Sequence, residues 1–336
     1  MFDFKNVYIN NWFSIVGPLE AKSNNLKNID LTMNDYYYGE KTIEKAEIKM
    51  QDIIINYLCK ISKPEIVLGS DLINQLSTTN MALRNKKLPY LGIYSACASS
   101  IGALITLGTF IDSKKIKEGL FITSSHNLTA EKQFRFPIEY GAPKPERSTF
   151  TTTGSIGLVV SKKESNIKLV NGTIGNVIDS EIVDVYNMGA VMAPSAVDTF
   201  LRHLELTNTT PSDYDLILTG DLGKVGADIF VELLKEKNIK LKNYKDAGTI
   251  MYKNKEYSGA SGPTVLPLVL FNNIIYNKKY KKILLLATGS LHSSIIVNQH
   301  NTLPSITHAL TIEVKKWHYY IPSYFVDLFV YLDKSS

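Results

Sequence analysis

The run Leu88–Ile111, "LPYLGIYSACASSIGALITLGTFI", sets a single cysteine between two patterns. Up to Ser95 the residues suit a β-strand. From Ala98 onward small and apolar residues open a helix. Cys97 therefore falls at a strand-to-helix turn. Unpaired amides and the helix dipole favour a thiolate there, and the small neighbours Ala96, Ala98 and Ser99 let the backbone approach a ligand closely. The same residue reads equally well as a buried, inert cysteine.

Outward from this turn, short apolar runs alternate with helical patterns. "EIVLGSDL", "YLGIYS", "GLFITSSH" and "SIGLVVSK" fill the first half, and "YDLILTGDL", "GTIMY" and "KILLLATGS" the second. Runs apolar on consecutive positions are strands buried on both faces, so the chain reads as α/β with helices covering its sheets. An internal repeat reinforces this. Leu68-Gly69-Ser70-Asp71-Leu72 matches Leu218-Thr219-Gly220-Asp221-Leu222 at an offset of 150 residues. The Cys97 segment and "FITSSHN" recur roughly 160 residues later as "SGASGPTVLPLVL" and "ILLLATGSLHSS". Two related βα halves follow, joined between residues 163 and 195: 1–175 with a long insertion loop at 127–150, then 176–313, then an atypical tail at 314–336.

The bulk properties narrow the function. The 336 residues carry a net charge of +5, and only four of the 37 basic residues are arginine. Diffuse lysine is a solubilising surface rather than a nucleic-acid groove. Two cysteines in unrelated contexts exclude a disulfide framework and a cysteine-rich zinc site. No signal peptide is expected from the opening residues, and no apolar run reaches the roughly 20 residues that span a bilayer. Phosphate-loop, dinucleotide-loop and zinc-protease patterns are absent, and the six histidines do not pair at metal-ligand spacing. No metal and no cofactor are expected.

Several residues remain as site candidates. His126 ends a strand in "TSSHN" and the repeat brings it towards Cys97; the bland reading is a satisfied core histidine. Asp71 and Asp221 end equivalent strands, where α/β folds place ligands, although Asp also caps helices there. Asn74 follows Asp71 on the same loop. Arg135 and Arg147, half of all the arginines, sit in the insertion loop with Lys132 and Lys144 and suit an anionic ligand, or else pair with Glu131, Glu139 and Glu146. Phe134, Phe136 and Tyr140 add aromatic surface to the same loop.

A strand–helix cysteine within duplicated halves resembles the thiolase superfamily, which includes the ketoacyl-synthase condensing enzymes. The motifs "TSSHNLTAEKQFRFPIEYGAPKPE", "YDLILTGDLGKVG", "MGAVMAPSAVDT", "LLLATGSLHSS" and "LPSITHALTIE" are similar to the stage V sporulation protein AD family over residues 5–313. The resemblance implies a thiolase-like fold of five layers, α-β-α-β-α, and a homodimer. It also implies non-enzymatic binding of dipicolinic acid (pyridine-2,6-dicarboxylate), free or as its calcium chelate, for uptake into the developing spore. Partners would be membrane-embedded sporulation channel proteins, at the cytoplasmic face or periphery of the forespore inner membrane.

The alternative is a Cys97-dependent acyltransferase or condensing enzyme, and a scaffold without a ligand stands third. Condensing chemistry needs electrophilic groups beyond the thiolate. Where a thiolase would read Gly-His-Pro or a ketoacyl synthase Gly-Asn-Thr, this chain reads Ser258-Gly259-Ala260-Ser261-Gly262. Where the other catalytic histidine would stand, it reads Thr219-Gly220-Asp221-Leu222. The expected pocket lies at the former acyl site under the 127–150 loop. It has Phe136 as part of an aromatic slot, Arg135, Arg147 and His126 as donors, and the helix opened by Cys97 for a carboxylate. Asp71 or Asp221 would meet calcium if it enters with the ligand. The aromatic tail after Glu313 departs from the family pattern and reads as an added packed element or a changed reading frame, less readily as a membrane-interface segment.

Overall fold

The computed structural model describes residues 1–135, 143–252 and 257–315; Phe136, Tyr140 and the tail from residue 316 lie outside the described residues. The first set of elements is β1 (Tyr8–Val16), α1 (Ile43–Ile61), β2 (Ile66–Ser70), α2 (Ser77–Leu83), β3 (Tyr90–Gly92), α3 (Ser99–Asp112), β4 (Glu118–Ser125), α4 (Asn127–Arg135), β5 (Thr149–Thr151) and β6 (Gly154–Ser161). The second is β7 (Ile167–Thr173), α5 (Met188–Thr207), β8 (Leu216–Thr219), α6 (Gly223–Glu236), β9 (Tyr244–Asp246), α7 (Ala247–Met251), β10 (Gly259–Ser261), α8 (Val265–Asn272), β11 (Lys282–Ser290), α9 (Ser294–Asn298) and β12 (Ser305–Val314).

The strand orders repeat. One set runs β1-β6-β4-β2-β3 and the other β7-β12-β11-β8-β9. In each, the first two junctions are antiparallel and the last two parallel. The sets meet where β1 pairs with β7, Tyr8 opposite Lys168 and Ile9 opposite Ile167.

Alternation along the strands makes the layers, because neighbouring side chains point to opposite faces. On β8 and β11, Leu216, Leu218, Ile283 and Leu285 enter a central core with α3 and α8. Ile217, Leu284 and Leu286 face outward onto α5 and α6. In the first set, Leu120, Ile122 and Val159 face α1 across an outer core, while Phe121, Ile156 and Leu158 turn to the centre. The order is helix, sheet, helix, sheet, helix, a thiolase-like α/β arrangement. α1 has a clear local cause: Thr42 caps it by accepting the Lys45 N–H at 3.3 Å, and Ala46, Met50, Ile54 and Leu58 form one buried stripe.

Two segments depart from expectation. "GTIMY" is not a strand, since α7 covers Ala247–Met251. The buried Asp246 carboxylate accepts the N–H groups of Thr249, Leu222 and Gly223 at 2.9, 3.0 and 3.1 Å, and so caps α7 and the start of α6 together. The 127–150 segment does not begin as a loop. α4 starts at once after β4, with the Ala130 N–H on the His126 carbonyl at 3.0 Å and the Thr129 hydroxyl on the same carbonyl.

Candidate functional site

The turn between β3 and α3 is built around a left-handed residue. Ala96 has φ +48°, which costs a non-glycine residue roughly 1–2 kcal/mol. Ser99 holds it there: its hydroxyl donates to the Ala96 carbonyl at 2.7 Å and accepts the Ser95 N–H at 2.9 Å. Strain of this kind concentrates at ligand sites, where the surroundings over-determine it. Gly289, at the end of β11, lies so close that a Cβ would stand 2.7 Å from the Ser95 carbonyl. Cys97 is thus fixed between the ends of both strand sets.

Beneath it is Asp221, at the end of β8 and 1% exposed. Its carboxylate accepts the Thr288 hydroxyl at 2.7 Å and the Gly262 N–H at 3.1 Å, and it lies against the Cys97 thiol. Gly262 has φ +128°, and glycine is what lets its amide turn onto that oxygen. Burial pushes the Asp221 carboxyl up to about 6. Burial, and then the charge and hydrogen bond of Asp221, push the Cys97 thiol well above its ordinary range. At neutral pH the pair is a thiol on a carboxylate, the opposite of an activated thiolate.

Above Cys97 opens a cavity of about 540 Å³. Leu72, Tyr94, Phe134, Tyr186, Met188 and Val297 supply apolar and aromatic wall. Lys144 and Glu131 form an ion pair in the wall, their side chains 11% and 12% exposed. His292 packs on Phe134, ring centroids 5.2 Å apart, with its Nδ1 3.2 Å from the Ser290 hydroxyl. Burial holds His292 down at about 4, so it is neutral near pH 7.

Of the expected residues, the structure brings Cys97 and Asp221 together at this floor. His126 is directed elsewhere. It is fully buried, its Nε2 stands 2.8 Å from the Tyr36 carbonyl and its Nδ1 accepts the Leu128 N–H at 3.2 Å, so one ring nitrogen holds the Tyr36 loop and the other the start of α4. Asp71 caps a turn and a helix, accepting the Ile73 N–H at 2.8 Å and the Thr79 N–H and hydroxyl at 2.9 and 2.7 Å. Its neighbour Leu72 lines the cavity instead. Asn74 is exposed and gives its backbone N–H to Gln133 Oε1 at 2.7 Å. Arg147 pairs with Asp184 at 2.8 Å, both partly exposed, tying the two flanks of the cavity mouth. Arg135 ends α4, and its side chain lies outside the described part, as does Phe136. Among the described residues no group of three or more His, Cys, Asp or Glu side chains is placed to hold a metal ion.

The sequence reading missed His292; Lys144 and Glu131 it named only as members of the insertion loop, and the structure pairs them in the wall. The repeat carried a signal for the first: β4 ends in "SSHN" and β11 in "SLHSS", and the second of these histidines is the one in the cavity. Which loop cation meets Glu131 had no local signal, because α4 sets that geometry.

The family model described as Stage V sporulation protein AD (SpoVAD) matches residues 2–313. The stage V sporulation protein AD of Bacillus subtilis (strain 168) is 34% identical over 318 residues, covering 91% of this chain and 94% of that protein. The fold is shared more widely. The 3-oxoacyl-[acyl-carrier-protein] synthase III of Aquifex aeolicus VF5 superposes with a TM-score of 0.57 at 15% identity, over 91% of this chain and 99% of its own. An OleA variant of Xanthomonas campestris does so with a TM-score of 0.60 at 14% identity, over 93% and 99%. The chain therefore belongs to the stage V sporulation protein AD family and has a thiolase-like fold.

Proposed function

We propose that this member of the stage V sporulation protein AD family binds dipicolinate without turnover, in the cavity above Cys97, for uptake into the developing spore. The observation that carries the reading is the Cys97–Asp221 pair. Acyl transfer needs a thiolate, and here burial and an adjacent carboxylate keep the sulfur protonated. What remains is a binding site.

The walls suit a small, flat aromatic dianion. Tyr94, Phe134 and Tyr186 offer ring faces, and Lys144 offers an ammonium in a nearly enclosed setting where a charged hydrogen bond is strong. The ligand arrives free or as its calcium chelate. Among the described residues no helix is long and apolar enough to cross a membrane. Delivery to the forespore inner membrane would then run through membrane-embedded channel partners. A homodimer would form along β3, which ends its strand set and carries the exposed Leu91.

Calorimetric titration with dipicolinate tests this, with and without calcium, on wild type and Cys97→Ala. Saturable binding that survives Cys97→Ala is the expected result. No binding to wild type, or an acyl adduct on Cys97 after incubation with acyl-CoA, would move the function to acyl transfer.

A further inference from the structure

A buried hydroxyl normally finds a hydrogen-bond partner, and one that does not calls for an explanation. Among the described residues, most of the buried polar side-chain atoms without a partner lie on residues outside the cavity wall. Two lie within it, on successive residues: Ser148 Oγ and Thr149 Oγ1. Each residue is 4% exposed, so neither hydroxyl is left to bulk water.

The main chain around them is pinned on both sides. The Ser148 N–H donates to the Pro145 carbonyl at 2.9 Å, and the Ser148 carbonyl accepts the Ser258 N–H at 2.8 Å. β5 then pairs in parallel with β10, Thr149 opposite Gly259 and Thr151 opposite Ser261. Just past β5, the Thr152 N–H donates to the Ser261 carbonyl at 2.9 Å. This ribbon joins the two halves of the chain, so its backbone cannot shift to turn the hydroxyls elsewhere. Alternation along β5 puts Thr149 and Thr151 on one face, and both line the cavity with Ser261. Phe150, between them, takes the other face and packs on Tyr252 and Tyr257, ring centroids 5.8 and 5.5 Å away.

We propose that Ser148 and Thr149 form a carboxylate subsite, in which their two hydroxyls donate to the oxygens of a ligand carboxylate held in the cavity. An ionised carboxylate only accepts hydrogen bonds, and a serine or threonine hydroxyl rotates to donate, so the two chemistries match. Lys144, in the same wall, brings a positive charge that favours an anion there. That the carboxylate belongs to dipicolinate rests on the proposed function. With two carboxylates, that ligand meets Lys144 with one and the hydroxyl pair with the other.

The test compares dipicolinate with pyridine-2-carboxylate, which lacks one carboxylate, by calorimetry on wild type, Ser148→Ala, Thr149→Val and the double variant. Each single change removes one charge-assisted hydrogen bond and should weaken dipicolinate about tenfold. Pyridine-2-carboxylate, whose one carboxylate goes to Lys144, should be nearly unaffected, so the double variant loses most of the preference for the diacid. Urea denaturation gives a second readout. Removing a buried hydroxyl that has no partner relieves its desolvation penalty, so the unfolding midpoints of the variants should equal or exceed that of wild type. Lowered midpoints would show that the hydroxyls serve the fold, and unchanged discrimination between the two acids would put the carboxylate elsewhere. Either result overturns the subsite and leaves the dipicolinate reading standing. If wild type binds neither acid, the dipicolinate reading falls and the subsite falls with it.

Discussion

The Cys97 thiol lies against the Asp221 carboxylate, and the two residues come from opposite halves of a duplicated chain. The carboxylate is anchored by Thr288 and Gly262, so it cannot turn away. Asp221→Asn removes the charge that opposes thiolate formation. Each unit by which the thiol pKa falls raises the thiolate fraction about tenfold. Iodoacetamide should therefore alkylate Cys97 at least about tenfold faster at pH 7.5 in Asp221→Asn than in wild type. Equal rates would mean that burial alone protects the sulfur.

Lys144 and Arg147 are three residues apart and should behave differently. The Lys144–Glu131 pair is nearly enclosed, whereas Arg147 and Asp184 are partly exposed. Lys144→Met should weaken dipicolinate binding by about tenfold or more, the loss of a charge-assisted hydrogen bond. Arg147→Ala should change stability by less than about 1 kcal/mol, as exposed pairs do, and leave the affinity nearly unaltered. Calorimetry and urea denaturation of the two variants check both statements.

α5 and α6 cross through two glycines. A Cβ on Gly189 would lie 2.6 Å from the Leu222 carbonyl, and one on Gly226 would lie 2.6 Å from the Gly189 carbonyl. Both obstacles are backbone and cannot step aside. Gly189→Ala and Gly226→Ala should each destabilise by roughly 1–3 kcal/mol, as overpacking does. The double variant should cost less than the sum, since either change already separates the helices. Urea unfolding midpoints give the answer.

His203 links stability to acid. It is buried between the Thr173 and Thr311 hydroxyls, 2.9 Å from each, and burial lowers its pKa to about 4 from the ordinary 6.5. The unfolded chain binds this proton first, so the histidine's contribution is intact above 6.5 and is lost as pH falls towards 4. The loss approaches about 3 kcal/mol. The stability advantage of wild type over His203→Gln should shrink by about 2.5 kcal/mol between pH 7 and pH 4.5. A constant gap in urea denaturation would refute it.

Much of the fold was legible because it is local and repeated. Apolar strand runs and the Leu68–Leu72 and Leu218–Leu222 match predicted two related sets of elements, and the topology repeats strand for strand. "GTIMY" misled because so short a run, apolar only at its end, suits a strand or a short helix equally. The Asp246 cap, itself held by the start of α6, decided for the helix. His126 misled for a related reason. The repeat puts it at a strand end, but the N-terminus of α4 and the Tyr36 carbonyl claim both its ring nitrogens.

The sequence by itself determined the layered α/β architecture, the duplication and the turn that carries Cys97, since each depends on patterns within a few dozen residues. Tertiary structure alone decided the chemical state of the site. Burial, and the Asp221 carboxylate 124 positions from Cys97, push its thiol above the ordinary range, and the Lys144–Glu131 pair forms only once α4 has folded. Burial and neighbouring charge set the protonation of these groups, and neither is a property of a residue in isolation.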